Sequence, residues 1–257
     1  MVVVVTMKIL LLVGLLIQLM AAQELRLLAY NIHHGQGMDG KVDLARIAKV
    51  IAAEKPDLVA LQEVDKNCKR SGAVDQAAEL ARLLKMEHRF AKAMDFQGGE
   101  YGVAVLSKFP IQGAIVHTLP KGAEPRVALE VMMTPPGWSE IFSFVTIHND
   151  WINEALRVKQ IEVLKKGLKN RDHPVILAGD FNAEPQSDSL RSLEDDGWKM
   201  LREGRENTSP AVETKVEIDF FFAKGLAAFL FKDKVVAEKV ASDHRPIVVV
   251  VAPQKAK

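Results

Sequence analysis

Val175-Ile176-Leu177-Ala178-Gly179-Asp180-Phe181-Asn182-Ala183-Glu184-Pro185 is the stretch around which the rest of the chain is read. Its apolar run reads as a buried strand that stops at Gly179, and Pro185 prevents the strand from continuing. Alternation along the strand end places Asp180 and Asn182 on one side and Phe181 on the other. A carboxylate and a carboxamide are then held side by side at the mouth of a sheet, above an aromatic anchor. Asp and Asn are also ordinary turn formers at such a position. The alternative is an active site, with Asp180 taking a proton from water and Asn182 donating to an oxyanion.

Working outward, other apolar strands also end in polar residues. Leu25 to Asn31 reads as a strand, followed by a loop, His33 to Gly40, with glycines at 35, 37 and 40. Asp43 then N-caps a helix with Leu44, Ile47, Ala48 and Ile51 on one face, ending before Pro56. Asp57 to Leu61 is a short apolar strand delivering Gln62 and Glu63, and a second helix is expected from about Val74 to Leu84. Tyr101 to Leu106, Ile111 to Thr118, Val127 to Thr134 and Ile141 to Ile147 are strand-like and separated by Gly/Pro turns, as in antiparallel meanders. Glu154 to Leu168 has helical spacing; Lys165, Lys166, Lys169 and Arg171 at its end suit the helix dipole and solvent better than a phosphate. A short helix near Ser187 to Leu193 and strands at Val216 to Phe222, Val235 to Glu238 and Pro246 to Val251 complete the chain. Helix-strand units flanking a run of strands predict α/β layers rather than one all-parallel sheet.

Asn31, Glu63, His148, Asp180 and Asn182 thus lie at strand ends, where open α/β folds place ligands. Asp219 sits between Ile218 and Phe220, so it needs a partner to offset its desolvation; His244 is the candidate. Singly, Glu63 reads as an exposed loop acid, His148 as a half-buried histidine and Asp243 as a turn cap. Together they have a chemical logic. Asn31, Glu63 and Asp243 offer oxygen ligands suited to Mg²⁺ or Mn²⁺, and the chain has neither a cysteine cluster nor His-Glu-x-x-His for zinc. An Asp219–His244 pair fixes the imidazole tautomer. His148 and Asn182 can donate to phosphoryl oxygens, and Asp180 is left to activate water. This is equipment for metal-assisted hydrolysis of a phosphate ester.

In order, Tyr30-Asn31-Ile32, Leu61-Gln62-Glu63-Val64, Tyr101-Gly102-Val103-Ala104-Val105-Leu106-Ser107-Lys108, Thr146-Ile147-His148, Gly179-Asp180-Phe181-Asn182, Ile218-Asp219-Phe220 and Ser242-Asp243-His244-Arg245-Pro246 form a set that resembles the endonuclease/exonuclease/phosphatase superfamily. The match runs from about residue 25 to 252, and the loop His33 to Gly40, Arg70-Ser71-Gly72 and Gln97-Gly98-Gly99-Glu100 resemble its bacterial metal-dependent hydrolase branch. The resemblance implies the deoxyribonuclease I-like fold, a four-layer α-β-β-α sandwich, as one catalytic domain over 23–257. It implies a divalent cation on Asn31 and Glu63 with Asp243 completing or assisting, and His244 oriented by Asp219 against the phosphate. His148 and Asn182 would stabilise the transition state and Asp180 would activate water. Arg126 matches a frequent family arginine near the site, though a surface ion pair suits it equally, and Tyr101 joins it as a substrate-binding candidate. Two departures stand out: Val103 replaces a common Asn, and His148-Asn149-Asp150-Trp151 alters the substrate rim and offers a Trp platform.

The chain has 257 residues, 48% hydrophobic and 26% charged, with a formal charge of +1. That composition buries a substantial core, and the lack of a basic block argues against a dedicated duplex-binding role. Lys8 followed by Ile9 to Met20 and Ala21-Ala22 makes a secretory leader over residues 1–22, with Met7 the tidier start and an uncleaved anchor the lesser alternative. Cys68 is the sole cysteine, so no internal disulfide forms, which suits export to a bacterial periplasm or exterior. The expected activity is that of an exported phosphodiesterase. A non-specific nuclease or sphingomyelinase-like phospholipid hydrolase is the alternative, and an inactive binding module the outsider. The partner expected is the phosphoester substrate (nucleic acid, phospholipid or small molecule), on a monomer with no stable protein partner.

Overall fold

The computed structural model describes residues 24–138, 140–226 and 229–253; the leader reading of residues 1–22 and the alternative start at Met7 lie outside them. In chain order the elements are β1 (Leu25–Asn31), α1 (Leu44–Glu54), β2 (Leu58–Lys66), α2 (Gln76–Leu84), β3 (Glu87–Phe96), β4 (Gly99–Ser107), β5 (Gly113–Leu119) and β6 (Arg126–Met133). They continue with β7 (Phe142–His148), α3 (Glu154–Leu168), β8 (Val175–Asp180), α4 (Asp188–Asp195), β9 (Lys199–Met200), β10 (Asp219–Lys224), β11 (Phe229–Val235) and β12 (Ile247–Pro253). The four helices start on Asp43, Asp75, Asn153 and Ser187, whose side chains accept from the backbone N–H three residues on. Each such cap contributes about 1 kcal/mol.

The strands form two six-stranded sheets, ordered β11-β12-β1-β2-β4-β3 and β5-β6-β7-β8-β10-β9. The period-2 alternation of side chains explains the layers. Leu25, Leu27, Ala29, Ile176 and Ala178 point between the sheets into one core, with Phe142, Phe144 and Phe221. Leu28 and Tyr30 point outward to Ile47, Ile51 and Leu80 of α1 and α2. Leu177 points outward on the other side, to Ile161, Leu164, Leu190 and Leu193 of α3 and α4. The result is the expected four-layer α-β-β-α sandwich, in which central strands are apolar on both faces because both faces are covered.

Each sheet holds one parallel pair made by a β-α-β crossover, β1 with β2 and β7 with β8. Parallel pairing brings C-terminal ends to the same rim: Asn31 lies opposite Gln62, and His148 opposite Asp180. β10 runs antiparallel to β8 and starts at that rim, with Asp219 opposite Asp180. Gly179 has φ +143°, and a Cβ there would lie 2.1 Å from the Ile147 carbonyl oxygen. Only glycine lets β8 approach β7 so closely just before the Asp.

Several local expectations are corrected. β2 does not stop at Leu61 but runs to Lys66, with an irregularity between Leu61 and Val64. β3 was not expected, because its edge position leaves most of its side chains at least partly exposed and the run lacks apolar alternation. The strand expected at Val235 to Glu238 lies earlier, at Phe229–Val235. The one expected from Val216 starts at Asp219, and Val216 makes only an isolated bridge to Ser209. Arg171 is not left to solvent: its guanidinium grips the fully buried Glu130 at 2.7 and 2.8 Å, which also takes His117 Nε2 (2.9 Å) and the Ser143 hydroxyl (2.7 Å).

Burial opposes ionisation of Glu130, but Arg171, His117 and Ser143 outweigh it and hold the carboxyl down to about 2, against 4.5 for an ordinary Glu. A depressed carboxyl stabilises the fold above its unfolded value, so this contribution is lost as pH falls from about 4.5 through about 2. Glu130→Ala leaves Arg171 without its buried partner and is expected to cost about 3 kcal/mol at neutral pH. Its deficit against the wild type should shrink in thermal unfolding between pH 5 and pH 2.

Candidate active site

Asp180 is the last residue of β8 and is buried (1% exposed). Its Oδ1 accepts from the backbone N–H of Asn182 at 2.8 Å, and its Oδ2 from Asn31 Nδ2 at 3.1 Å. His148 Nε2 and His244 Nε2 stand 3.5 and 3.7 Å from the same Oδ2. Strand alternation therefore ends at Asp180. Asn182 is placed instead by an Asx turn and a left-handed backbone, φ +50°, and donates through Nδ2 to the Asn149 carbonyl at 3.1 Å. Phe181 is fully buried beneath, against Phe220 and Phe222.

The two histidines carry different charges. Arg126 Nη1 donates to His148 Nδ1 at 3.2 Å, so the His148 proton sits on Nε2, facing Asp180. Burial, then Arg126 and His244, hold His148 well below the usual imidazole range, so it is neutral. His244 Nδ1 donates to Asp219 Oδ2 at 2.9 Å. Burial works against a charge on His244, but Asp219 and Asp180 outweigh it and raise the group to about 10. It is an imidazolium at neutral pH. Asp219 Oδ2 also accepts the Thr208 hydroxyl at 2.5 Å, which fixes the carboxylate that fixes the ring.

Glu63 enters from β2. The bulge between Leu61 and Val64 gives it φ +55°, and its Oε1 takes the second Asn31 Nδ2 contact, at 3.2 Å. Asn31 thus brackets two carboxylates from opposite sheets. Asp243 follows Ser242, whose hydroxyl donates to the Asn31 carbonyl at 2.7 Å. It contacts the Ser242 hydroxyl at 3.3 Å and lies 3.9 Å from His33 Nδ1. It belongs to neither of the close groupings found among the described residues, His33–His34–Glu63 and Asp180–Asp219–His244. Asn31 presents its Nδ2 to both carboxylates, while its Oδ1 accepts from the His33 backbone N–H at 3.1 Å; carboxylate and carboxamide oxygens of this kind are donors that could hold a hard divalent cation.

Arg126 is buried rather than a surface ion-pair residue. It reaches Glu124 at 3.1 Å and also lies 3.5 Å from the Tyr101 hydroxyl. Burial, with Glu63 nearby, pushes the Tyr101 phenol up, so it stays protonated. These groups line an open cleft of about 330 Å³ with Arg70, Phe96, Met94 and an exposed Trp151 on the rim. Val103 packs into the core between the sheets. Sequence reasoning gave no role to Arg70 or Thr208. Asp65 was the available signal for Arg70: an acid inside a strand needs a cation, and Arg70 grips it through two 2.8 Å bonds while stacking 4.5 Å over Phe96.

A family model described as Endonuclease/Exonuclease/phosphatase family matches residues 28–244. The chain belongs to this family. Its members act on phosphate esters. Among solved structures, an endonuclease/exonuclease/phosphatase from Beutenbergia cavernae is 25% identical, with TM-score 0.74, and covers 91% of this chain and 72% of its own. One from Bacteroides vulgatus is 19% identical, with TM-score 0.77, over 91% and 100%. A mannosyl-6-phosphatase of Bacteroides thetaiotaomicron is also 19% identical, with TM-score 0.72, over 89% and 99%. The latter two share the fold. No curated protein matches the sequence.

Burial first, and the Asp219 charge second among the raising causes, push Asp180 up to about 7, against 3.8 for an ordinary Asp; His244, the Asn182 N–H and Asn31 oppose the rise. Because the folded value is the higher one, this contribution to stability is full below about 3.8 and is lost as pH rises through about 7. In EDTA-treated protein, the melting temperature of Asp180→Asn relative to wild type should therefore be more favourable at pH 8 than at pH 5. A difference that does not change with pH would overturn the assignment.

Proposed function

We propose that the protein is a divalent-metal-dependent phosphodiesterase, with Mg²⁺ or Mn²⁺ as its cation. The observation that carries this reading is the convergence of Asn31, His148 and His244 on one buried carboxylate oxygen of Asp180. A carboxyl poised near neutrality and shielded from bulk water is suited to take a proton from an attacking water. The imidazole N–H groups, at 3.5 and 3.7 Å, are beyond good hydrogen-bond distance to Asp180. Both are free to turn to a phosphoryl oxygen.

In this reading water attacks phosphorus in line with the leaving group, and its proton passes to Asp180 Oδ2. The phosphorus–oxygen bond to the leaving group breaks as the new one forms, and the departing alkoxide takes its proton from solvent. His244, charged and held by Asp219, and neutral His148 donate to the non-bridging oxygens, and the remaining Asn182 amide hydrogen adds a third donor. Arg126 orients His148 and offers positive charge to the substrate, with Tyr101 beside it. A cation on Glu63 and Asn31 would supply charge neutralisation at the phosphoryl group. The near-neutral net charge of +1 favours a modest phosphodiester over long duplex nucleic acid. Export, read from residues 1–22, belongs to this proposal too.

EDTA is expected to abolish hydrolysis of bis-p-nitrophenyl phosphate, with Mg²⁺ or Mn²⁺ restoring it; unchanged turnover would sink the mechanism. Asp180→Asn and His244→Ala should fold and lose activity by about 10²–10⁴-fold. A panel adding p-nitrophenyl phosphate, plasmid DNA and sphingomyelin separates monoesterase, nuclease and phospholipid hydrolase outcomes.

A further inference from the structure

The loop after β1 takes no part in the roles above, yet it carries two adjacent imidazoles beside Glu63. His33 and His34 both have left-handed backbone, φ +46° and +43°, a conformation that residues other than glycine seldom adopt. The paired turn sets the rings edge to face with centroids 4.5 Å apart. One nitrogen of each ring and one Glu63 oxygen all lie within 4.8 Å of one another.

The hydrogen bonds decide which nitrogens are free. His33 Nδ1 lies 3.2 Å from the Gln36 backbone carbonyl, and His34 Nε2 lies 3.0 Å from Gln36 Oε1. Both partners are acceptors, so both ring nitrogens donate. His33 Nε2 and His34 Nδ1 are left as bare lone pairs. His34 is only 7% exposed, and its Nδ1 is buried with no partner. A metal-binding imidazole characteristically donates its other N–H to a carbonyl in this way, which fixes the ring and strengthens the donor nitrogen. Gln36 does this for both rings.

The loop is also anchored from below. The buried Gln76 donates from Nε2 to the His34 carbonyl at 2.7 Å, and its Oε1 accepts from the Asp65 backbone N–H at 2.9 Å. This ties the histidines to the strand that carries Glu63. The His33 side chain is 33% exposed, which gives a cation a way in. Donors around a tetrahedral Zn²⁺ with bonds of about 2.05 Å sit about 3.3 Å apart, so a modest swing of His33 and Glu63 closes the site.

We propose that His33, His34 and Glu63 form a binding site for an imidazole-preferring divalent cation of the Zn²⁺ or Co²⁺ type. It adjoins the Asn31–Glu63 oxygen donors and shares Glu63 with them. Two imidazole nitrogens and one carboxylate select such ions over Mg²⁺, which keeps to oxygen. This site stands on donor geometry and does not depend on phosphodiester hydrolysis.

The test is metal binding by the full chain after EDTA treatment and removal of the chelator. Zn²⁺ is titrated calorimetrically, and Co²⁺ is followed by its visible d–d absorption. The wild type is expected to bind one more equivalent of Zn²⁺ than the His33→Asn/His34→Gln double variant and to show a Co²⁺ band that the double variant lacks. Gln36→Met, which removes only the side-chain contact to His34, should weaken Zn²⁺ binding about 10–100-fold. Should the double variant not fold by circular dichroism, His33→Asn alone and Gln36→Met carry the test. Unchanged stoichiometry and affinity in the folded variants overturn the site. Wild-type protein that binds Zn²⁺ as expected yet hydrolyses no phosphodiester counts against the proposed function and leaves this site standing.

Discussion

One buried hydrogen bond joins the two halves of the molecule where the chemistry gathers. Gln62 Nε2, on the first sheet, donates to Thr146 Oγ1 on the second at 2.8 Å, with both residues fully buried. A buried amide left unpaired is costly, so this contact fixes how far apart the sheet rims can sit. It works only because Gly179 has no side chain: a Cβ there would come within 3.0 Å of the Gln62 amide as well as striking the Ile147 carbonyl. Asn31 can then reach Glu63 on its own sheet and Asp180 on the other.

The electrostatics follow from that closure. Four ionisable groups, Asp180, Asp219, His148 and His244, are all more than nine-tenths buried at one rim. Burial alone favours the neutral form of Asp180 and of both histidines. Their partners separate the two histidines: burial, reinforced by Arg126, keeps His148 neutral, whereas Asp219, steadied by Thr208, and Asp180 outweigh burial and keep His244 charged. Two histidines with the same ordinary pKa thus hold different charges within reach of one carboxylate. Glu130 solves the same problem differently. Every contact it makes is a donor, and its network lies away from the rim on β5, β6 and β7.

Much of this was legible in the residue order. Polar residues terminating apolar strands marked Asn31, Glu63, His148 and Asp180, and an Asp among aromatics demanded the partner that His244 provides at 2.9 Å. What escaped was what linear pattern does not encode. β3 carries little apolar signal because it is an edge strand. The bulge at Gln62–Glu63 looks like the end of a strand, since one inserted residue breaks the alternation on which strand reading depends. Nor does the residue order show that the Asp243 carboxylate accepts from the Ser242 hydroxyl at 3.3 Å and stands 3.9 Å from His33 Nδ1.

The sequence by itself determined the layers and the rim, because both are consequences of periodicity: apolar runs buried on two faces, capped helices between parallel strands, and acids, amides and imidazoles where the runs stop. Only the tertiary structure decided which ring nitrogen faces which oxygen, which histidine is charged, and that His33 and His34 stand beside Glu63. Those are matters of distance between residues far apart in the chain. They are set by packing, hydrogen-bond partners and local dielectric, none of which a residue carries with it before the sheets close.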